Sequence, residues 1–433
     1  MTAREMKDSG VEWIGTIPAC WEVHRIKTNF DIIGGNGFSP SLQGQETGDL
    51  PVCKASDISN AGAKLSKAEN FITFSEAKLY SFNLIPKGSV LFAKIGEAMK
   101  KNNRTLTLVE CCADNNCQAM VPKKIDSQFS YYLFNCIDMT WFDNAGTVPC
   151  ISNQKLKNSK IPYPSIFEQK RIAKYLNNKC AEIDSLTADI EKQIETLQEY
   201  KKSVITEAVT KGLDPNVEMK DSGVEWLEPI PSTWSVKRLK QVLENDLQYG
   251  ASESGETDID GPKLRYIRIT DISSNGQLKE ESVLYLPMHK AKFYVVKEGD
   301  ILFARSGATV GKTYFHKGDE CCFAGYLIKC SIKSACCHPR FFYYFTKTST
   351  YENWKDVTFS KATIQNINAE KLANLYLPIP DYHEQIAIVD FLDAKCEVVD
   401  NTIQEKQKQL EVLGQYKQSL IYEYVTGKKA VPM

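Results

Sequence analysis

The chain has 433 residues, 42% hydrophobic and 25% charged, with a formal net charge of −1. That length implies two to four domains of an ordinary soluble protein, and the near-neutral balance neither requires nor excludes a nucleic-acid partner, because basic residues can cluster on one face. The sequence contains no run of 18 apolar residues and opens on polar, charged residues. A membrane span and a secretory signal are therefore not expected, and the 14 cysteines are expected to be reduced in the cytoplasm.

The first predicted element is an opening segment, MKDSGVEWIGTIPACWEVHRIK, from Met6 to Lys27. It recurs from Met219 to Lys240 as MKDSGVEWLEPIPSTWSVKRLK, 213 residues later. Trp13, Pro18 and Trp21 of the first copy match Trp226, Pro231 and Trp234 of the second. Such aromatics are expected to pin each opening segment onto its own globular body.

A β-like region follows in each copy. VCKASDIS (Val52 to Ser59) parallels YIRITDIS (Tyr266 to Ser273), and alternating β-branched and polar residues suggest a strand ending in a turn. GSVLFAKIG (Gly88 to Gly96) parallels GDILFARSG (Gly299 to Gly307), a turn glycine leading into a buried strand, then a basic residue, then glycine. VECCA and DECCFA supply a further strand in which adjacent cysteines point to opposite faces. Between these anchors the frame repeats while the loops differ: EAMKKNNRTLTL in one copy stands against ATVGKTYFHKG in the other. Aromatic, helix-like stretches follow at Phe129 to Phe134 and Phe341 to Phe345. Each copy then closes with a strand stopped by Pro164 or Pro380.

The element that organises the chain comes next. Residues 168–210 contain no Pro or Gly and are rich in helix formers. Alternate steps of four and three give Leu176, Cys180, Ile183, Thr187, Ile190, Ile194, Leu197, Lys201, Val204 and Ala208, a coiled-coil stripe on a helix about 60 Å long. The same steps 216 residues later give Leu392, Cys396, Val399, Ile403, Lys406, Leu410, Leu413, Lys417, Leu420 and Tyr424. Lys201 and Lys417 share one place on this seam, either as a register device or snorkelling out of it. The two helices are expected to pair with each other in antiparallel fashion. VTGKKAVPM at the C-terminus joined to MTAREMKDSGVEW at the N-terminus recreates the internal junction VTKGLDPNVEMKDSGVEW. The termini are therefore expected to lie together in a pseudo-twofold ring, so that a circular permutant opened near Asp214 folds and binds. The fold class expected is α+β: two globular mixed α/β bodies separated by an antiparallel coiled coil. The divisions expected are residues 1–165, 166–212, 213–380 and 381–433.

Catalytic signatures do not stand up. SGATVGKT (Ser306 to Thr313) begins with serine where a phosphate loop needs glycine, and a strand rather than a helix follows it. GGNGF (Gly34 to Phe38) is a glycine-rich turn. His24, His289, His316, His338 and His383 lack metal-site spacing, so no metal and no cofactor is expected. IPYP (Ile161 to Pro164) lacks the polar first residue of the amino-methyltransferase signature. What remains is basic residues at matching places. Lys54 and Arg268 are read as lying in the DIS strand, and Lys94 and Arg305 follow the LFA strand. Lys100, Lys101 and Arg104 fill the loop of the first copy, while Arg265 and Lys312 belong to the second. Any one of these taken alone is equally well an ordinary solvated charge. Their recurrence beside glycines, on a frame with variable loops, favours phosphate and base-edge contacts, with Asn102, Asn103, Asn115, Asn116, Ser306 and Thr309 as polar neighbours.

The doubled opening segment and the doubled Pro-x-Pro…Glu-Gln start of each long helix, IPYPSIFEQKRIAKYL and LPIPDYHEQIAIVDFL, resemble the specificity subunit of a Type I restriction-modification system over the whole chain. The resemblance implies two target recognition domains, each reading half of a bipartite, asymmetric target in double-stranded DNA. It implies a non-catalytic subunit that docks two methyltransferase subunits modifying adenine N6, and motor-nuclease subunits. The helix-pair core would then be Leu176, Ile183, Ile190, Ile194, Leu197 and Val204 against Leu392, Val399, Ile403, Leu410, Leu413 and Leu420. Two other readings stand beside it: a self-contained methyltransferase or nuclease, opposed by the missing motifs, and a non-catalytic protein–protein adaptor with a coiled-coil spacer.

Overall fold

A computed structural model describes residues 4–273, 276–307, 309–359 and 366–432. The chain forms two compact units, Met1–Ile190 with Lys408–Met433, and Glu191–Gln407. Two long helices, Ile166–Lys211 and Tyr382–Val425, dominate the secondary structure. The unit boundaries fall inside these helices, so each unit combines a mixed α/β body with the start of one helix and the end of the other. None of the helices among the described residues is long and apolar enough to cross a membrane.

In the first unit a five-stranded sheet runs in the order Phe30–Gly34, Cys117–Pro122, Val90–Ala93, Arg104–Thr107, Lys64–Leu65. Beside it Leu50–Cys53 pairs in parallel with Cys112–Ala113, Val52 facing Cys112. In the second unit a four-stranded sheet runs Gln248–Tyr249, Leu327–Cys330, Ile301–Ala304, Thr313–Phe315. There Lys263–Ile267 pairs in parallel with Cys321–Phe323, Tyr266 facing Cys322. The repeated frame read from the sequence is thus a repeated strand register. Adjacent cysteines do serve opposite cores: Cys111 and Cys112 enter different apolar clusters, as do Cys321 and Cys322. Among the described residues no group of His, Cys, Asp or Glu gathers at metal-binding geometry.

One local reading is corrected. The DIS segments are not strands ending in turns. The strand Leu50–Cys53 stops one residue earlier, and Ala55–Ala61 is a helix with Lys54 at its N-cap. Lys263–Ile267 likewise stops before Arg268, the N-cap of a short 3-10 turn, Ile269–Asp271. The shared aspartate explains both. Asp57 accepts the backbone N–H of Lys54 at 2.7 Å and Asp271 that of Arg268 at 2.8 Å, each satisfying an otherwise orphaned donor where the chain leaves the sheet.

The start of each long helix is clamped in the same way. Gln169 Nε2 donates to Pro164 O, while its Oε1 accepts the Asp126 N–H at 2.8 Å, just before the aromatic helix Ser127–Asn135. Gln385 does the same with Pro380 O and the His338 N–H at 2.7 Å, before the helix Pro339–Phe345. The aromatic helices also reach the long ones at matching places. Tyr132 donates to Asn177 at 2.8 Å, and Tyr344 donates to Asp393.

Along the seam, Leu176, Ile183, Leu392, Val399 and Leu420 are buried, and Ile190, Ile194, Leu197, Val204, Ile403, Leu410 and Leu413 are half-buried. Burial of one such side chain contributes about 1.5–3 kcal/mol. Within each unit the helix segments run antiparallel. In the second unit Lys201 reaches Asp400 at 2.7 Å and Lys406 reaches Gln193; in the first, Lys417 reaches Asp184. Both seam lysines therefore lean out of the stripe to an aspartate of the opposite helix, carrying the charge to the rim. In the first unit the C-terminal end packs on the opening segment: Tyr422 donates to Trp13 O at 3.0 Å, Lys428 donates to Ile14 O, and a Cβ on Gly427 would meet Pro18 at 2.4 Å. In the second unit Gly212, at the end of the first long helix, packs in the same manner against Trp234 and Glu384.

Candidate nucleic-acid interface

The edge of each body is built around the basic residue that follows the LFA strand. In the first unit the Lys94 N–H donates to Asn116 O at 2.8 Å and its carbonyl accepts the Ile151 N–H at 3.0 Å. In the second unit the Arg305 N–H donates to Tyr326 O at 3.1 Å and its carbonyl accepts the Ile367 N–H at 2.9 Å. Two neighbouring segments thus hold this backbone from both sides at equivalent places. A glycine loop closes over it. Asn36 N–H donates to Ala113 O and Ala251 N–H to Phe323 O, both at 2.9 Å. A Cβ on Gly35 would lie 1.9 Å from Asp114 O, and one on Gly250 2.3 Å from Ala324 O, so only glycine lets the backbones approach this closely.

Beyond this frame the two edges differ. Among the described residues Lys94 and Lys101 make no ion pair or side-chain hydrogen bond, whereas Lys100 pairs with Glu97 at 2.7 Å. Lys54 donates to Gln43 at 2.8 Å and lies over the Phe38 ring. Arg104 is not at the edge. It is buried, and its guanidinium donates to the carbonyls of Asn102 and Ile137, a bracing role that lowers its pKa to about 10 through burial. Asn102 is equally occupied, accepting the Met139 N–H and donating to Asp138.

In the second unit Arg265 pairs with Glu280 and donates to Lys279 O, and Arg268 forks onto Asp271 and reaches Ser282 O. Lys312 donates to Ile272 O at 3.0 Å, and burial lowers its pKa. Ser306 and Thr309 lie half-buried beside Arg305 in the same loop. Arg305 itself stacks over the Tyr249 ring at 4.7 Å. Tyr326 stands beside it with 68% of its surface exposed. Sequence reasoning did not single out either tyrosine; their only signal was an aromatic residue next to a repeated glycine.

Two bodies with one frame and unlike edges suit a pair of readers for different partners. Both halves of the chain, residues 18–196 and 231–412, match the family model described as the Type I restriction modification DNA specificity domain. The chain belongs to that family. Among its relatives this specificity protein is 27% identical over 310 residues to the Type I restriction enzyme MjaIX specificity subunit of Methanocaldococcus jannaschii, covering 69% of this chain and 68% of that one. It is 25% identical over 428 residues to the putative MjaX specificity subunit of the same organism, covering 96% and 95%. The fold matches a solved chain from a study of complex assembly and conformational transition in the type I R-M system, with a TM-score of 0.67, 17% identity, and coverage of 95% and 99%.

Proposed function

We propose that this specificity subunit directs a Type I restriction-modification complex to a bipartite, asymmetric DNA target, each unit reading one half-site. The observation that carries this reading is the repeated frame with Lys94 and Arg305 at equivalent, backbone-braced positions and unlike loops around them. Repetition of the frame gives two equivalent approaches to the duplex; difference in the loops gives two different base sequences. The braced cations supply the phosphate and base-edge contacts, with Lys54, Lys100, Lys101, Ser306, Thr309 and Lys312 lining the same edges.

The long helices set the unread gap, and Leu176, Ile183, Ile190, Ile194, Leu197 and Val204 pack with Leu392, Val399, Ile403, Leu410, Leu413 and Leu420 as their core. The faces off this seam dock two methyltransferase subunits. Tyr200 and Tyr416, 216 residues apart, support the docking. They are 50% and 53% exposed and occupy the same place in the repeat. The chain itself carries no catalysis; adenine N6 methylation needs the target base outside the stack, in a pocket supplied by the partner. Motor-nuclease subunits join the same assembly in the cytoplasm. Purified alone with S-adenosylmethionine, the chain should methylate nothing yet bind target DNA with a steep salt dependence. Methylation by the isolated chain, or binding insensitive to salt, would overturn the reading.

A further inference from the structure

We infer that Arg305 reads a guanine in the half-site bound by the second unit, and that Tyr249 is the positioning residue that aims it. This inference deepens the proposed function and rests on it.

The second unit contains five arginines, Arg238, Arg265, Arg268, Arg305 and Arg340. Four of them use their guanidinium groups within the protein. Arg238 donates to Tyr376, Arg265 pairs with Glu280, Arg268 with Asp271 and Arg340 with Asp393. Among the described residues Arg305 alone of the five makes no side-chain hydrogen bond or ion pair. Its donors are nonetheless not loose. The guanidinium carbon sits 4.7 Å from the Tyr249 ring centroid, so one face of the group is covered.

The platform is fixed at both ends. Tyr249 pairs with Ile328 in the sheet, and its phenol oxygen accepts the Ala369 N–H at 2.9 Å. The next residue, Gly250, is held against the Ala324 carbonyl. A guanidinium stacked on a pinned ring keeps its edge donors free in one plane. Guanine presents N7 and O6 as two acceptors in one plane at the major-groove edge, and the bidentate Arg–guanine pair is the commonest specific base contact. A phosphate contact needs only a nearby positive charge, and the first unit places Lys94 at the equivalent position for that. Aiming a fork in a fixed plane has value only where orientation carries information, that is, at a base edge.

The test uses the full chain in complex with its methyltransferase partners, with genome-wide mapping of N6-methyladenine as the readout. Arg305→Lys keeps the charge and removes the fork. It should relax one guanine in one half-site and leave every other position of the motif unchanged. Tyr249→Ala should relax the same position, and Tyr249→Trp, which keeps a stacking face, should restore it. In parallel, target duplexes carrying 7-deazaguanine at that position, which lack N7, should bind the unaltered complex roughly tenfold more weakly. They should bind the Arg305→Lys complex no more weakly than the natural duplex.

An unchanged motif with Arg305→Lys would overturn the inference, as would changes in both half-sites or indifference of the unaltered complex to 7-deazaguanine at every guanine of the target. Should the variants fail to assemble, the 7-deazaguanine comparison on the unaltered complex decides alone. A failure of the specificity reading itself would look different: the unaltered complex would then methylate no bipartite motif.

Discussion

The Trp21 indole N–H donates to Glu168 Oε2 at 2.7 Å, tying the opening segment of the first unit to the first turns of its long helix. Trp234 and Glu384 repeat the bond at 2.9 Å in the second unit. Both indoles are almost wholly buried, so removing the acceptor strands a donor without water. Glu168→Leu and Glu384→Leu should each destabilise the unit concerned by about 1–3 kcal/mol. Glu→Gln at either position keeps a carbonyl acceptor and should recover at least half of that. Thermal and denaturant unfolding measure both; an equal loss from Leu and Gln would mean that the hydrogen bond contributes little.

These contacts also show why parts of the fold were legible in the sequence. The heptad stripe, the paired tryptophans and the Glu-Gln helix starts are local patterns repeated at a fixed offset, and each repeat has one structural job. The cap made by Asp57 and Asp271 was not legible, because a β-branched run beside it imitates a strand and capping depends on where the chain leaves the sheet. Arg104 reads as a loop cation, yet it is drawn inside by carbonyls more than thirty residues away in sequence. The Arg305–Tyr249 stack joins residues from two distant strands, which no spacing in the chain announces.

Lys347 supplies a pH dependence. Burial, with Lys312, Lys201 and Lys355 nearby and only Glu352 opposing them, lowers its pKa from 10.5 to about 7. It donates to Thr313 O at 3.0 Å and lies over the Tyr343 ring. A base whose folded pKa lies below its unfolded value opposes folding wherever it must be charged. The cost is full below pH 7, and stability rises with pH between about 7 and 10.5. Lys347→Met should stabilise the protein at pH 7 by about 1–3 kcal/mol, less than the full ~1.4 kcal/mol per pKa unit because the side chain is half-exposed. It should also flatten the stability profile through that window. Denaturant melts at pH 7 and pH 9.5 measure this; an unchanged slope would place the amine in water.

Tyr200 and Tyr416 test the docking faces. Tyr200 lines a groove with Phe391 and Lys395, and Tyr416 lies near Lys179, the residue equivalent to Lys395. Neither tyrosine belongs to the seam stripe, so Tyr200→Glu and Tyr416→Glu should leave the melting temperature within a degree or two. Each single variant should bind one methyltransferase subunit instead of two, and the double variant none, as read by native mass spectrometry. Full occupancy in the double variant would move the docking surface elsewhere.

The ruler role of the long helices is the central claim, and one deletion tests it most directly. Removing residues 189–195 and 405–411 takes one heptad from each helix at equivalent positions and keeps the seam in phase. Each helix shortens by about 10 Å, close to three base pairs of duplex. Mapping of N6-methyladenine across the genome should then show both half-sites unaltered and the unread gap between them reduced. The same gap, or new half-site sequences, would contradict the account.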